Sequence, residues 1–155
     1  MQNVKVPMKT AVLILLVTCA ASVAANAAMS GASRAEHRSV ALIREKFEAF
    51  NRHDVEAIGK SYASTATLHS PDYPSLVGNE PIADTYRKLF AAVPDAKDDL
   101  ETLEDSANHV YAQFVMSGHL MGAQDKPINV RIVSIYTVKD GRIVEDATYY
   151  DRKSF

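Results

Sequence analysis

The sequence predicts an α+β fold, because the spacing of its apolar residues changes partway along the chain. Between about residues 34 and 94 apolar residues recur every three or four positions, which is typical of amphipathic helices. From residue 99 onward they alternate with polar residues, which is typical of strands. The turn signal Lys139-Asp140-Gly141 then joins the last two candidate strands as a hairpin. Helices followed by antiparallel strands favour a fold in which the helices lie on one face of a sheet.

Residues 1–27 are predicted to be a cleavable signal peptide. Two lysines are followed by the uncharged run AVLILLVTCAA at residues 11–21, which is shorter than the roughly 20 residues that span a bilayer. The small residues at 25–27 form a cleavage site. The alternatives are an uncleaved membrane anchor and a lipoprotein attached through Cys19. We therefore expect one exported domain, periplasmic or secreted, at residues 28–155.

Composition narrows the function of this domain. Cleavage removes two lysines and no acid, which takes the formal charge from −2 to −4. A mildly acidic domain without a basic tract predicts neither nucleic acid nor an anionic membrane as a partner. The only cysteine leaves with the signal, which excludes disulfides and thiol chemistry. No phosphate loop, dinucleotide fingerprint or His-Glu-x-x-His motif occurs, so we expect no cofactor and no metal site.

Three helices are predicted in the first half. An amphipathic helix from about Arg34 to Arg52 has its apolar stripe at Val40, Ile43, Phe47 and Phe50. Asp54 caps a short second helix. A third helix starts at Asn79-Glu80-Pro81, with proline in its first turn, and Pro94 stops it.

Five strands complete the pattern. A short strand at Ala66–His69 is followed by a predicted loop from Asp72 to Gly78. The later strands are predicted at residues 99–104, 110–117, 130–138 and 142–151.

The strand at residues 130–138 is apolar on both faces. Val133 and Ile135 lie on one face, and the other carries Val130, Ile132 and Tyr136. The helices can cover only one face, and a strand that is apolar on both is usually covered on both. We therefore expect a second copy of the chain to cover the other, giving a homodimer.

Several short segments match a known pattern in their order and spacing. They are Phe47–Asp54, Tyr62–Pro71, Val93–Asp95, Ser117–Gly118 and Asp140–Asp151. Together they resemble the nuclear transport factor 2-like superfamily, especially its SnoaL-like polyketide cyclase and ketosteroid isomerase-like branches. The resemblance implies a cone-shaped α+β barrel, in which the three helices pack on a curved antiparallel sheet around an apolar pocket for a small ligand.

The resemblance also implies a catalytic residue, because the terminal aspartate of SnoaL-like cyclases moves a proton on carbon next to a carbonyl. Asp151 occupies that position. Strand alternation places Ala147, Tyr149 and Asp151 on one face, which we expect to face the pocket, and turns Asp146 toward the surface. A carboxyl group in an apolar pocket has a raised pKa, which suits a general base. A solvated acid near the chain terminus is the alternative.

His69 is the second candidate catalytic residue. It lies beside the expected pocket mouth, where it would donate to an enolate oxygen or orient Asp151. A loop histidine without a role is the alternative. The isomerase base would stand at Ser70, which cannot act as a base unaided, so ketosteroid isomerase activity itself is not expected. Six side chains are candidates for lining the pocket or for ordinary core packing: Phe47, Tyr62, Phe114, Met116, Tyr136 and Tyr149.

These observations predict an exported protein that binds a small apolar carbonyl compound. They favour proton-transfer chemistry, either isomerisation or aldol-type cyclisation. The alternative is a non-catalytic binding protein or a dimeric assembly module of the same fold.

Overall fold

A computed structural model describes residue 34 and residues 37–106, 109–122 and 126–151. The predicted signal peptide, its cleavage site and Cys19 lie outside the described residues. Within the described ranges the predicted α+β class is confirmed: helices pack on a curved six-stranded sheet that does not close. None of the helices described there is long and apolar enough to cross a membrane.

The three predicted helices are confirmed in the described residues. Helix α1 covers residues 37–51, α2 covers Val55–Ser61 and α3 covers Asn79–Ala92. Asp54 caps α2 as predicted, because its side chain accepts a hydrogen bond from the Ala57 N–H at 3.0 Å. Helix α3 ends at Ala92, since the residue before a proline disfavours the helical conformation.

Six strands follow the spatial order β2-β1-β6-β5-β4-β3. All neighbouring strands are antiparallel except β1 and β6, which are parallel. The strands are β1 Tyr62–Ser70, β2 Tyr73–Val77, β3 Lys97–Ser106, β4 His109–Leu120, β5 Lys126–Lys139 and β6 Arg142–Tyr150.

Strand β2 corrects the prediction of a loop between Asp72 and Gly78. The turn is confined to Pro71 and Asp72, and the chain then pairs with β1. Pro74, a residue that favours a loop, lies within β2. A proline is tolerated there because β2 is an edge strand, which needs no second partner for its backbone N–H groups.

A bulge in β6 decides which side chains face inward. Thr137 of β5 pairs with Glu145, whereas the next residue, Val138, pairs with Ile143. Val144 is therefore an extra residue in β6, which is the definition of a β-bulge. One extra residue reverses the facing of every later side chain in the strand.

The core lies between the apolar stripe of α1 and the inner face of the sheet. Ile43, Phe47 and Phe50 are each at most 3% exposed. They belong to the core formed with the buried side chains of β4 and β5. The rings of Phe47 and Phe114 pack edge to face, with 4.8 Å between ring centres. Lys46 is buried in the same stripe, so a cation lies inside an otherwise apolar core.

Candidate functional site

A cavity of about 220 Å³ lies between α1, α3 and the inner face of the sheet. Its lining is mostly apolar and aromatic, which is typical of sites that bind small organic ligands. The apolar lining includes Phe50, Leu68, Leu89, Phe114, Met116 and Ile132. Two charged groups, Lys46 and Asp98, also line it from deep in the fold.

Lys46 enters the cavity from α1. Its Nζ atom donates a hydrogen bond to the Tyr136 hydroxyl at 3.1 Å and lies 5.0 Å from the centre of that ring. Burial opposes the charge of the ammonium, but the surrounding Tyr136, Tyr86 and Asp146 raise the pKa of Lys46 well above its usual value. Lys46 is therefore protonated at neutral pH, which makes it a hydrogen-bond donor rather than a nucleophile.

Asp146 is a buried acidic residue whose charge acts on Lys46. It is 1% exposed and accepts hydrogen bonds from the Tyr62 hydroxyl at 2.6 Å and the Thr148 hydroxyl at 2.9 Å. Burial raises the pKa of Asp146, and the nearby Lys46 ammonium offsets part of that effect. The Tyr62 hydroxyl also lies 3.2 Å from that of Tyr86. Asp146 thus holds the Tyr62 hydroxyl, which in turn contacts Tyr86 on the cavity wall.

Asp98 differs from Asp146 in its hydrogen bonding. It is 7% exposed, and among the described residues its Oδ1 atom has no hydrogen-bond partner. Burial raises the pKa of Asp98 to about 7, although Lys46 acts in the opposite direction. A buried carboxyl oxygen without a partner is rare, because burying it costs free energy. At neutral pH this carboxyl group is able both to take and to give a proton.

The solvent-exposed end of the cavity is polar. The Tyr150 hydroxyl donates to Asp72 and lies 3.2 Å from the Ser70 hydroxyl. Burial and the hydrogen bond to Asp72 raise the pKa of Tyr150. These contacts join the β1–β2 turn to the end of β6, and they fix the rim through which a ligand would enter.

The inward placement expected for Asp151 and Tyr149 is wrong. The two residues do share a face, but the bulge at Val144 makes it the outer face of the sheet. Asp151 is exposed and Tyr149 is 60% exposed. The surface placement expected for Asp146 is wrong for the same reason, since the bulge turns it into the core.

His69 also lies outside the cavity. Its Nδ1 atom is 2.7 Å from the Ser75 hydroxyl, and its Nε2 atom is 3.7 Å from the carboxylate of Glu145. The neighbouring Leu68 lines the cavity, so strand alternation turns His69 toward solvent. The expectation that His69 and Asp151 share a pocket is therefore not met.

The remaining candidates divide into lining and supporting residues. Phe114, Met116 and Tyr136 line the cavity. Tyr62 and Phe47 are buried behind that wall, where they hold Asp146 and Phe114. A ligand-binding role for any of them stays a prediction.

The three buried charged residues of the site were not among the candidates: Lys46, Asp98 and Asp146. Lys46 carried a visible signal, since a lysine three residues after Ile43 interrupts the apolar stripe of α1. Asp98 carried none, because it precedes the predicted start of its strand. Within the described residues no three His, Cys, Asp or Glu side chains lie close enough together to hold a metal ion.

Comparisons with known proteins agree with this fold. The family model described as the SnoaL-like domain matches residues 43–146. A search of curated proteins found no match.

Solved structures share the fold at low sequence identity. A hypothetical protein with a ketosteroid isomerase-like fold from Catenulispora acidiphila, in complex with trimethylamine, is 20% identical with a TM-score of 0.68, covering 73% of this chain and 87% of that one. A putative SnoaL-like polyketide cyclase from Jannaschia sp. is 16% identical with a TM-score of 0.67, covering 75% and 87%. IdmH, a putative polyketide cyclase from Streptomyces antibioticus, is 24% identical with a TM-score of 0.63, covering 73% and 91%. At these identities the likeness establishes the fold alone.

Proposed function

Since this chain belongs to the SnoaL-like domain family, we propose that its cavity binds a small carbonyl compound and that Asp98 moves a proton on the carbon beside the carbonyl. One observation carries the proposal: a buried carboxyl oxygen without a hydrogen-bond partner in the described residues belongs to a side chain on the wall of an aromatic cavity. Asp98 takes the role that the sequence suggested for Asp151, because Asp151 is exposed.

In the proposed step the Asp98 carboxylate takes a proton from the carbon beside the carbonyl. The electron pair of the broken C–H bond moves into a C–C double bond, and the carbonyl oxygen becomes an enolate oxygen. Lys46 and Tyr136 line the same cavity, and their N–H and O–H groups are the proposed donors to that oxygen. Returning the proton to a different carbon is an isomerisation. Attack of the enolate carbon on a second carbonyl of the same molecule forms a C–C bond and an alkoxide, which takes the proton back from Asp98, and the result is an aldol-type cyclisation.

The size of the cavity limits the ligand. About 220 Å³ is below the roughly 300–1,000 Å³ typical of pockets for drug-sized ligands. The proposed ligand is therefore an acyclic or monocyclic carbonyl compound rather than a polycyclic one. Its apolar part would contact Phe114 and Met116, and its carbonyl would point toward Lys46.

Hydrogen exchange on a simple ketone tests this proposal without knowledge of the natural substrate. Cyclohexanone is incubated with the protein in D₂O, and loss of its α-hydrogen signal is followed by ¹H NMR. We expect the wild-type protein to accelerate exchange and Asp98→Asn to lose about a hundredfold to ten-thousandfold of that acceleration. Asp151→Asn is the matched control and should leave the rate unchanged. Equal rates in wild type and Asp98→Asn would refute proton transfer by Asp98.

A matched set of samples in H₂O separates catalysis from binding. A non-catalytic binding protein would give amide shift changes at Phe114 and Met116 on addition of cyclohexanone, but no exchange above the rate in buffer. An assembly module would give neither effect.

Export and pairing of two copies belong to the same proposal. We propose that the protein is exported with cleavage after Ala27, and the intact mass of the exported protein tests the cleavage site. We also propose that two copies pair through the outer face of the sheet.

A further inference from the structure

The side chain of Asn51, at the end of α1, is hydrogen-bonded to both backbone groups of Asp98. Its Nδ2 atom donates to the Asp98 carbonyl at 2.9 Å, and its Oδ1 atom accepts from the Asp98 N–H at 2.8 Å. Strand β3 lies at an edge of the sheet, and β4 is the one described strand that it pairs with. At this residue Asn51 supplies the pair of hydrogen bonds that a further strand would supply.

A second contact comes from the same corner of the chain. The His53 Nε2 atom lies 2.9 Å from the Ala96 carbonyl oxygen, and because a carbonyl only accepts, this nitrogen carries the hydrogen. The His53 ring stacks on Phe90 of α3 with 4.1 Å between ring centres. Its backbone has φ of 55°, a left-handed conformation that histidine adopts more readily than most residues. Asn51 and His53 thus fix the chain at Ala96 and at Asp98.

These contacts matter because the Asp98 side chain receives little support of its own. Its Oδ1 atom has no hydrogen-bond partner among the described residues, and Lys46 is the charged group that acts on it. When no hydrogen bond holds the oxygens of a carboxyl group, the position of the group depends on the backbone of its own residue. Both outward-facing backbone groups of Asp98 are bonded to Asn51.

We propose that Asn51 is a positioning residue, which holds the start of β3 so that the Asp98 carboxyl group stays inside the cavity and away from water. This inference rests on the proposed function for the identity of the acting carboxyl group. The competing interpretation is that Asn51 only ties α1 to the sheet and contributes to stability.

The test compares Asn51→Ala with Asn129→Ala. Asn129 is an exposed residue of β5, so its variant controls for loss of an asparagine amide. Three quantities are measured in each variant. They are the titration midpoint of Asp98, followed by ¹³C NMR of its side-chain carboxyl carbon, the rate of hydrogen exchange on cyclohexanone, and the free energy of unfolding in urea. The first does not require any substrate.

We expect Asn51→Ala to lower the Asp98 midpoint by at least about one pH unit, because water reaches the released carboxylate, and to slow exchange at least about tenfold. Asn129→Ala should change neither. If Asn51→Ala does not fold, Asn51→Gln replaces it, since one added methylene displaces the strand without removing the amide. A lower free energy of unfolding with an unchanged Asp98 midpoint would overturn the inference in favour of a purely structural role.

Failure of this inference and failure of the proposed function are distinguishable. If Asp98→Asn leaves ketone exchange unchanged, the proposed function fails, while the Asp98 midpoint in the Asn51 variants still decides whether Asn51 positions that carboxyl group.

Discussion

Asp98 and Asp146 are both buried but have different surroundings, and the difference suits Asp146 to a structural role and Asp98 to proton transfer. Asp146 accepts hydrogen bonds from Tyr62 and Thr148, whereas the Oδ1 atom of Asp98 lacks a partner in the described part of the chain. Hydrogen bonds to the charged form stabilise a carboxylate, so Asp146 is suited to balance Lys46. Asp98 is less stabilised as a carboxylate and has a pKa of about 7, near the pH at which a proton carrier works best.

The raised pKa of Asp98 predicts a pH-dependent cost in stability. Its pKa is about 7 in the folded state and about 3.9 in an unfolded chain, so the folded state binds the proton more tightly between these values. The contribution of Asp98 to stability is therefore highest below about pH 4 and is lost as the pH rises toward 7. Asp98→Asn cannot ionise, and we expect it to raise the free energy of unfolding at pH 8 by up to about 4 kcal/mol.

Urea unfolding of wild type and Asp98→Asn at pH 4 and pH 8 measures this effect. The stability gain should be present at pH 8 and nearly absent at pH 4, where Asp98 is protonated in the folded protein. A variant that is equally stabilised or destabilised at both pH values would contradict the assignment of a buried, titrating Asp98.

Lys46 is predicted to contribute more to the free energy of unfolding than a surface lysine does. Replacement by methionine keeps most of the length of the side chain but leaves Asp146 buried without its nearby cation. The substitution also removes the hydrogen-bond donor of the Tyr136 hydroxyl, and a buried polar group that loses its partner typically costs about 1–3 kcal/mol. We expect Lys46→Met to lower the free energy of unfolding by about that much, and the double variant Lys46→Met/Asp146→Asn to recover part of the loss, because Asp146 no longer carries a charge. A double variant no more stable than Lys46→Met alone would argue against charge pairing between the two.

At the scale of elements, most of the fold was predictable from the sequence. The face of the sheet on which each side chain of β6 lies was not. Helix periodicity, the Asp54 cap and the Pro94 stop are local signals, and each gives the observed element. The bulge at Val144 depends on pairing between β5 and β6, and no local pattern indicates it. It reverses the faces of Asp146 and Asp151, which is why the inward placement predicted for Asp151 failed.

The site was less predictable than the fold because its parts are distant in sequence. Lys46 and Tyr136 are 90 positions apart, and so their hydrogen bond has no local signature. Asn51 and Asp98 are 47 positions apart and meet only when α1 packs on the edge of the sheet. The apolar wall of the cavity was partly predictable, since Phe114, Met116 and Tyr136 follow the alternation of their strands.

The end of β4 depends on the absence of a side chain at one position. A Cβ atom on Gly118 would collide with Val93 Cγ1 and lie 3.2 Å from the Ala96 Cα atom in the turn after α3. That turn is held against β4 by Asp95, whose carboxylate accepts from the His119 N–H at 2.8 Å. The residues after that turn lead into Asp98, which lines the cavity.

We expect Gly118→Ala to lower the free energy of unfolding by about 1–3 kcal/mol, the usual cost of overpacking a dense core. Gly122→Ala is the control, because Gly122 also has positive φ, whereas a Cβ atom added to it would meet no atom within 4 Å among the described residues. Urea unfolding compares the two. Adding Val93→Ala removes the colliding methyl group, so Gly118→Ala should cost less stability in the Val93→Ala background than in the wild type.

At the scale of the whole molecule, the sheet has one covered face and one open face. The helices pack on the inner face, where Val130, Ile132 and Tyr136 are buried. On the outer face, Val133 is directly opposite Tyr149 in the neighbouring strand, and the two are 40% and 60% exposed. The two-sided apolar pattern predicted for β5 is therefore present in the structure, with its outer half facing solvent.

This outer face supports the prediction of a homodimer. On this face Tyr111, Val133 and Tyr149 lie on three adjacent strands and are each at least 38% exposed, and Ile135 is opposite Tyr111. Exposed apolar patches on soluble domains commonly mark interfaces, and a patch that meets its own copy about a twofold axis gives a closed dimer. We expect sedimentation velocity to give a dimer of the wild-type protein at micromolar concentration.

Val133→Glu should shift this equilibrium to the monomer, because pairing would bury two opposed carboxylates at the centre of the interface without partners. Val77→Glu is the matched control: Val77 is 65% exposed on the edge strand β2, away from the patch. It should sediment like the wild type. Circular dichroism of both variants checks that each remains folded. A wild-type protein that sediments only as a monomer would contradict the prediction of a dimer. A dimer that is unchanged by Val133→Glu would show that the two copies contact each other elsewhere than at this face.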